Sequence, residues 1–356
     1  MITSIRLQHF RTYKNASFEF DPGVNIVVGP NASGKTNLLE AVLVLARGSS
    51  YRAKDTEIIS HDKPWGRVDG DFAKQKRSVK LERDGEKVAK NFVIDEKPYK
   101  RLALERTVPV VFFEPNHLQI LSRGPEWRRE YFDELLERSL PEFKPLSVAY
   151  RRTLAQRNAL LKQNHQKARQ QLFAWDIRLS QLGEKIAYAR KVITDDINKQ
   201  ISRSYSKIAG RKSVVSLRYE SHFPVADYAS KLLRKLEASA SLDFMRGFTS
   251  SGPHREDFSF FLNGQPVSAS ASRGEARSLL LALKVFELGL IEEARSQKPL
   301  FLLDDVFSEL DTTRRRALVN YLKDYQAIIT TTDADTVVEY FATGAHKLIP
   351  LQKAAQ

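Results

Sequence analysis

The stretch Gly29-Pro30-Asn31-Ala32-Ser33-Gly34-Lys35-Thr36 constrains this chain more than any other, because it fits G-x-x-x-x-G-K-[ST], the pattern of a phosphate-binding P-loop. Ahead of it, Val24-Asn25-Ile26-Val27-Val28 is a β-branched run that reads as a buried strand. Behind it, Asn37 to Leu45 reads as a helix. Gly29 and Gly34 let the backbone turn tightly and approach a ligand with no Cβ in the way. The loop N–H groups and the helix N-terminus would then turn partial positive charge toward phosphates. Lys35 would add a full charge, and the Thr36 hydroxyl is a candidate Mg²⁺ ligand. Together with Pro30, Asn31, Ala32, Ser33 and Asn37, these residues predict a site for ATP or a similar triphosphate with Mg²⁺.

A second stretch supplies the other half of such a site. Phe301-Leu302-Leu303-Asp304-Asp305 has the form of a Walker B strand, in which apolar residues enter a sheet and carboxylates emerge at its C-terminal end. Ligands bind at that edge in open α/β sheets. Asp304 is expected to hold Mg²⁺, and Asp305 to orient or deprotonate an attacking water. Between the two halves, Ser272-Arg273-Gly274-Glu275 precedes the apolar run Leu279 to Leu283. This reads either as a second helix N-terminus that meets an anion or as a plain N-cap.

The chain has 356 residues, 42% of them hydrophobic, enough for one large domain or two smaller ones with ample core. It has no cysteine, which excludes disulfides, thiolate nucleophiles and Cys-ligated metals and makes a cytoplasmic location the expectation. No apolar run approaches the ~20 residues of a membrane span, and the N-terminus lacks a signal-peptide layout. The formal net charge of +14 suggests a polyanionic partner. That charge concentrates in residues 145–212, with Arg151, Arg152, Arg157, Lys162, Arg178, Lys185, Arg190, Lys199 and Arg203 among few acids. The histidines show no metal-ligand spacing.

In chain order, residues 2–20 read as two strands, and residues 66–95 as short β segments with a hairpin at Asp84-Gly85. Val108 to Phe113 is a further strand. From about residue 117 to 205 the pattern is helical, with long amphipathic helices predicted over 145–172 and 174–205. Val214 to Tyr219 returns to strand, a helix follows near 226–240, and 299–303, 318–322 and 327–329 continue a strand–helix–strand alternation.

P-loop, Ser-x-Gly-Glu helix start, and apolar-Asp-Asp followed by Ser308-Glu309-Leu310-Asp311 come in the order of the ABC and SMC-type ATPase heads. Further stretches resemble the RecF family within that group: Leu7-x-x-Phe10-Arg11, then Gly124-Pro125 with Arg128-Arg129 and Tyr131-Phe132-Asp133, then Ser251-Gly252-Pro253-His254-Arg255, and Arg314 with Leu318. Asn116 and Arg123 depart from the family pattern, where an acid and a glycine are usual.

The resemblance implies an α/β P-loop ATPase head built from 1–116 and 247–356, with a mainly helical second lobe, 117–246, inserted between its halves. It implies a DNA-dependent ATPase acting in recombination and repair, which binds double-stranded DNA and single/double-strand junctions; Thr332 in place of a switch histidine and Asp305 in place of the usual glutamate predict slow hydrolysis. ATP-dependent homodimerisation, RecR as partner, and RecO and RecA in the same pathway are implied as well. In such a dimer Ser272, Arg273, Gly274 and Glu275 would face the nucleotide of the other subunit, and Asp311 would line the contact. Thr332 stands where these ATPases carry a switch histidine, and Val111 where a Q-loop glutamine is sought. Arg52, in the basic loop after the P-loop helix, is a candidate DNA contact, and His254 reads either as a buried structural histidine or as a residue near the nucleotide. A short SMC-like or OLD-type repair ATPase is the alternative. The second of these would need an acidic metal-binding domain that is not expected here.

Overall fold

The structure, a computed structural model, describes residues 1–163, 165–333, 337–341 and 346–352, the side chains of 165–170 excepted. It divides into two compact units, one of Met1–His117, Ile208–Gly210 and Glu287–Gln356, the other of Leu118–Lys207 and Arg211–Phe286.

In the first unit, β1 (Ile2–Phe10) and β2 (Tyr13–Glu19) form a hairpin, and β3 (Val24–Val28) leads through the P-loop into α1 (Lys35–Arg47). A short α2 (Asp55–Ile58) precedes β4 (Trp65–Phe72), β5 (Gln75–Asp84), β6 (Lys87–Ile94), β7 (Lys97–Tyr99) and β8 (Val110–Phe113). Strands β2-β1-β4-β5-β6-β7 make one antiparallel sheet, and their alternating apolar residues, Ile5, Leu7, Val68, Val79 and Leu81 among them, turn inward. The hairpin at Asp84-Gly85 is present between β5 and β6, with Gly85 at φ 59°.

α1 is buried along nearly its whole length. Leu38, Leu39, Val42, Leu43 and Leu45 share one core with apolar residues of that sheet and of β3 and β8, a pattern that fits a helix covered on all sides.

In the second unit, α3 (Gln119–Ser122), α4 (Pro125–Ser139), α5 (Phe143–Leu161) and α6 (His165–Ala209) precede β9 (Val215–Glu220). Then come α7 (Tyr228–Ala238), α8 (Ala240–Arg246), β10 (Asp257–Leu262), β11 (Gln265–Pro266), α9 (Val267–Ser270) and α10 (Arg273–Arg295), the last of which carries the chain back to the first unit. The chain breaks its long helices at Lys162 and Gln163, not near residue 173 as the apolar pattern suggested. Their N–H groups donate to Ala159 O and Leu160 O, closing α5 with a tightened final turn, whereas Phe173-Ala174-Trp175 contains no breaker. Helix α6 therefore runs for 45 residues.

Two cations of the basic stretch 145–212 are buried. Arg157 pairs with Asp176 and Asp243 at 2.5 and 2.8 Å. Arg190 grips Asp133 through two bonds of 2.9 Å and donates to Pro253 O. The expected lobe boundary at 246/247 also moves, to 286/287. β10 pairs antiparallel with β9 from Asp257↔Glu220 to Leu262↔Val215, which holds residues 247–286 to the helical unit.

The return to the first unit adds β12 (Leu300–Asp304), α11 (Thr312–Leu322), β13 (Ala327–Thr331) and β14 (His346–Pro350). With β3 and β8 they form a parallel sheet in the order β14-β3-β13-β12-β8. β14, which no sequence signal marks, is one of its two edge strands, paired with β3. Among the described residues no helix is long and apolar enough to cross a membrane.

Candidate functional site

The P-loop takes the conformation its glycines allow. Ala32 and Gly34 have φ of 65° and 98°, and Gly34 caps α1 without a side chain. A Cβ on Gly29 would lie 2.6 Å from Ser33 Oγ and 2.7 Å from Leu351 O, and one on Gly34 would lie 2.8 Å from Tyr13 Oη, so neither position has room for a larger residue. Pro30, Asn31 and Ala32 form the exposed rim, while Ser33 and Lys35 are buried. Lys35 Nζ donates to Gly29 O at 2.7 Å and Pro30 O at 3.0 Å, curling back over the loop. Burial pulls the Lys35 pKa below its usual value, against the opposing pull of Asp305 and Asp304.

The parallel register brings the two halves of the motif set to one sheet edge. β13 lies between the P-loop strand and the Walker B strand, with Thr330 beside both Val27 and Asp304. Thr36 Oγ1 donates to Asp304 Oδ1 at 3.1 Å, and Thr330 Oγ1 donates to the same oxygen at 2.7 Å. Asp305 follows in the left-handed region at φ 50°, and its N–H donates to Thr330 Oγ1 at 2.9 Å. Burial raises the Asp305 pKa; Ser308 and Lys35 oppose the shift and Asp304 adds to it. Ser33 Oγ and Asp305 Oδ1 are both buried without a hydrogen-bond partner among the described residues. Thr330 and Glu114 lie at this edge, and nothing in the sequence singles them out. Thr330 sits in a run of three threonines that strand alternation does not rank. Glu114 follows Phe113, which lies beside Leu303, so it reaches the edge that Asp304 occupies. Val111, in contrast, is fully buried within β8 and takes no part in the site.

The remaining candidates are placed as follows. Ser272 and Glu275 form a reciprocal capping box at the start of α10: Ser272 N donates to Glu275 Oε2 at 2.8 Å, and Glu275 N to Ser272 Oγ at 3.3 Å. The hydrogen bonds from Ser272, joined by Arg211, hold the Glu275 carboxyl below its usual range. Ser272 and Arg273 are exposed, Gly274 half-buried. Asp311 is the N-cap of α11, accepting from Arg314 N at 2.9 Å. Thr332 is exposed just beyond the end of β13.

Arg52 is engaged within its own unit. It donates to Asn37 Oδ1 at 2.8 Å and to Glu40 Oε2 at 2.9 Å. The buried Glu40 also accepts from Arg11 Nε and Nη2, at 2.8 and 2.7 Å, and from Ser50 Oγ at 2.6 Å. Burial would raise the Glu40 pKa, but the bonds from Arg11, Arg52 and Ser50 outweigh it and leave the carboxylate below its ordinary value. This network ties the β1–β2 turn and the basic loop to α1. His254 has both ring nitrogens occupied, by Tyr150 Oη at 2.8 Å and Thr249 O at 3.1 Å, which makes it a structural residue of the second unit.

Comparison with known proteins agrees with this geometry. Residues 1–344 match the family described as "RecF/RecN/SMC N terminal domain". The DNA replication and repair protein RecF of Lachnoclostridium phytofermentans is 34% identical, over 95% of this chain and 94% of its own. That of Heliobacterium modesticaldum is 35% identical, over 93% and 92%. The solved "recombination mediator protein RecF-ATPrS in RecFOR pathway" superposes with a TM-score of 0.86 at 29% identity, covering 100% of this chain and 98% of that one. An Smc head domain from Pyrococcus furiosus shares the fold, with a TM-score of 0.54 at 14% identity. The chain belongs to the RecF family of the RecF/RecN/SMC group and has its ATPase-head fold.

Proposed function

We propose that this protein is an ATP-dependent, DNA-binding recombination mediator that acts in the cytoplasm on gapped or stalled replication DNA. The observation that carries the reading is the meeting of Thr36 and Asp304, 3.1 Å apart, beside the P-loop. An alcohol and a carboxylate are the oxygen donors Mg²⁺ takes when phosphates complete its shell. Among the described residues no group of three or more His, Asp or Glu side chains stands ready to hold a metal alone. Ser33 Oγ and Asp305 Oδ1, buried with no partner among the described residues, fit a site completed by a ligand.

Bound Mg²⁺–ATP would supply a transferable γ-phosphoryl group with its charge partly neutralised. The P-loop from Gly29 to Asn37 would cradle the phosphates, and Lys35 would leave Gly29 O and Pro30 O to meet them. Thr36 and Asp304 would hold the ion. Asp305 would orient the attacking water and accept its proton, a role suited to a carboxylate whose pKa is raised by burial. Turnover is expected to be slow, because Thr332 offers no imidazole and Asp305 is one methylene shorter than the usual glutamate. Ser272, Arg273, Gly274 and Glu275 would complete the nucleotide site of a second copy, with Asp311 at the contact, so that ATP drives homodimerisation. The names carried by the relatives, replication and repair and the RecFOR pathway, support DNA, RecR and RecO as partners, and the family resemblance places RecA in the same pathway.

The test is sedimentation of the purified protein with ATP and Mg²⁺, with ADP, and without nucleotide, alongside Ser272→Arg. A dimer that forms only with ATP and is lost in Ser272→Arg is expected. A monomer under all conditions would remove the role of Ser272 and the ATP-driven dimer.

A further inference from the structure

Thr330 lies in the middle of a parallel sheet and is fully buried, next to Ile328 and Ile329. At such a position an isosteric valine is the residue sheet packing favours, and a buried hydroxyl is costly unless its bonds are met. Here both are met by the nucleotide-binding edge. A hydroxyl has one proton, and at 2.7 Å from Asp304 Oδ1 against 3.5 Å from Leu303 O, the proton goes to the carboxylate. Its oxygen accepts from Asp305 N at 2.9 Å. Asp305 is in the left-handed region, where a residue with a Cβ persists only if its surroundings hold it. Thr330 holds the N–H side of that turn, and Ser308 Oγ, donating to Asp305 O at 2.7 Å, holds the carbonyl side. The turn leaves Asp305 Oδ1 buried with no partner among the described residues. One hydroxyl thus orients one acid and fixes the backbone of the next.

We propose that Thr330 is a positioning residue of the hydrolytic site: its hydroxyl sets which oxygen of Asp304 faces the metal and clamps the peptide that aims Asp305 at the attacking water. The proposal rests on the ATPase reading above. Partners of metal-binding carboxylates typically cost 10–100-fold in metal affinity or activity when removed, which sets the scale.

The experiment compares Thr330→Val and Thr330→Ser with the unaltered protein and with Lys35→Arg. It measures steady-state ATP hydrolysis, binding of a fluorescent ATP analogue in EDTA and in Mg²⁺, and thermal melting. Thr330→Val is expected to bind nucleotide in EDTA within about twofold of the unaltered protein, to lose about tenfold of the Mg²⁺-dependent gain in affinity, and to lose about 10–100-fold in kcat. Thr330→Ser should recover both. If Thr330→Val does not fold, Thr330→Ala is read against Thr330→Ser in the same assays. Unchanged kcat and Mg²⁺ gain in the hydroxyl-free variant, or a serine variant as impaired as it, overturns the proposal alone. An unaltered protein with no turnover above Lys35→Arg overturns the ATPase reading and the proposal with it.

Discussion

His254 is kept neutral by what surrounds it. Burial pushes its pKa down to about 4, with Arg255, Arg129 and Arg190 adding to the shift, and Nε2 donates to Thr249 O while Tyr150 donates to Nδ1. The unfolded chain, with an ordinary imidazole pKa of about 6.5, takes up a proton first as pH falls. Stability from this residue is therefore complete above about pH 6.5 and declines toward pH 4, by of order 1–3 kcal/mol. Urea unfolding at pH 7.5, 6 and 5 should show this loss, and His254→Gln should flatten the slope; an equal slope in both proteins would assign it elsewhere. Spacing alone could place His254 in a Gly-Pro-His-Arg segment, but not decide between nucleotide and structure. The same limit applies to Arg52, whose partner Glu40 lies on α1 and becomes visible only when the loop folds back.

At the scale of elements, α6 does work its amphipathic pattern does not announce. Asn198, Ser202 and Ser206 lie four residues apart on one face and bond the outer edge of β9 and the chain before it. Asn198 exchanges two 2.8 Å bonds with Leu217, Ser202 bonds both backbone groups of Val215, and Ser206 bonds Ser213. A helix here takes the place of a neighbouring strand and covers an edge that would otherwise invite pairing with another chain. Asn198→Ala with Ser202→Ala is expected to lower unfolding stability by about 1–3 kcal/mol and to raise light scattering on heating. No change in either would show that water replaces the ladder at no cost. Helical periodicity hid this, because polar residues at that spacing read as a solvated face.

For the whole molecule, the net charge of +14 is what a nucleic-acid partner would sense at a distance. Arg157 and Arg190 drop out of that surface, since each is buried against carboxylates. The exposed cations of α5 and α6, such as Arg151, Arg178, Lys185 and Arg203, remain. DNA affinity should fall linearly with the logarithm of salt concentration, with a slope of about −0.9 per phosphate contact. Contacts numbering about six would cost about 10³-fold between 50 and 200 mM salt. A flat dependence would mean the charge serves another purpose.

The sequence by itself determined the parts whose chemistry is local. A P-loop needs glycines at fixed offsets, a lysine and a hydroxyl, and a buried parallel strand needs an unbroken apolar run. Residues 29–36 and 301–305 therefore pointed to both halves of the candidate site, and the motif order pointed to the ABC and SMC-type heads, with stretches such as 124–133 and 251–255 narrowing the resemblance to the RecF family. Tertiary structure decided everything that depends on what lies alongside. The position of β13 between two motif strands turned Thr330 into the link between Asp304 and Asp305, and the pairing of β9 with β10 moved the unit boundary forty residues along, from 246 to 286. Buried acids withdrew Arg157 and Arg190 from the surface. These are contacts between residues far apart in the chain, set by sheet register and packing, and no spacing along the sequence encodes them.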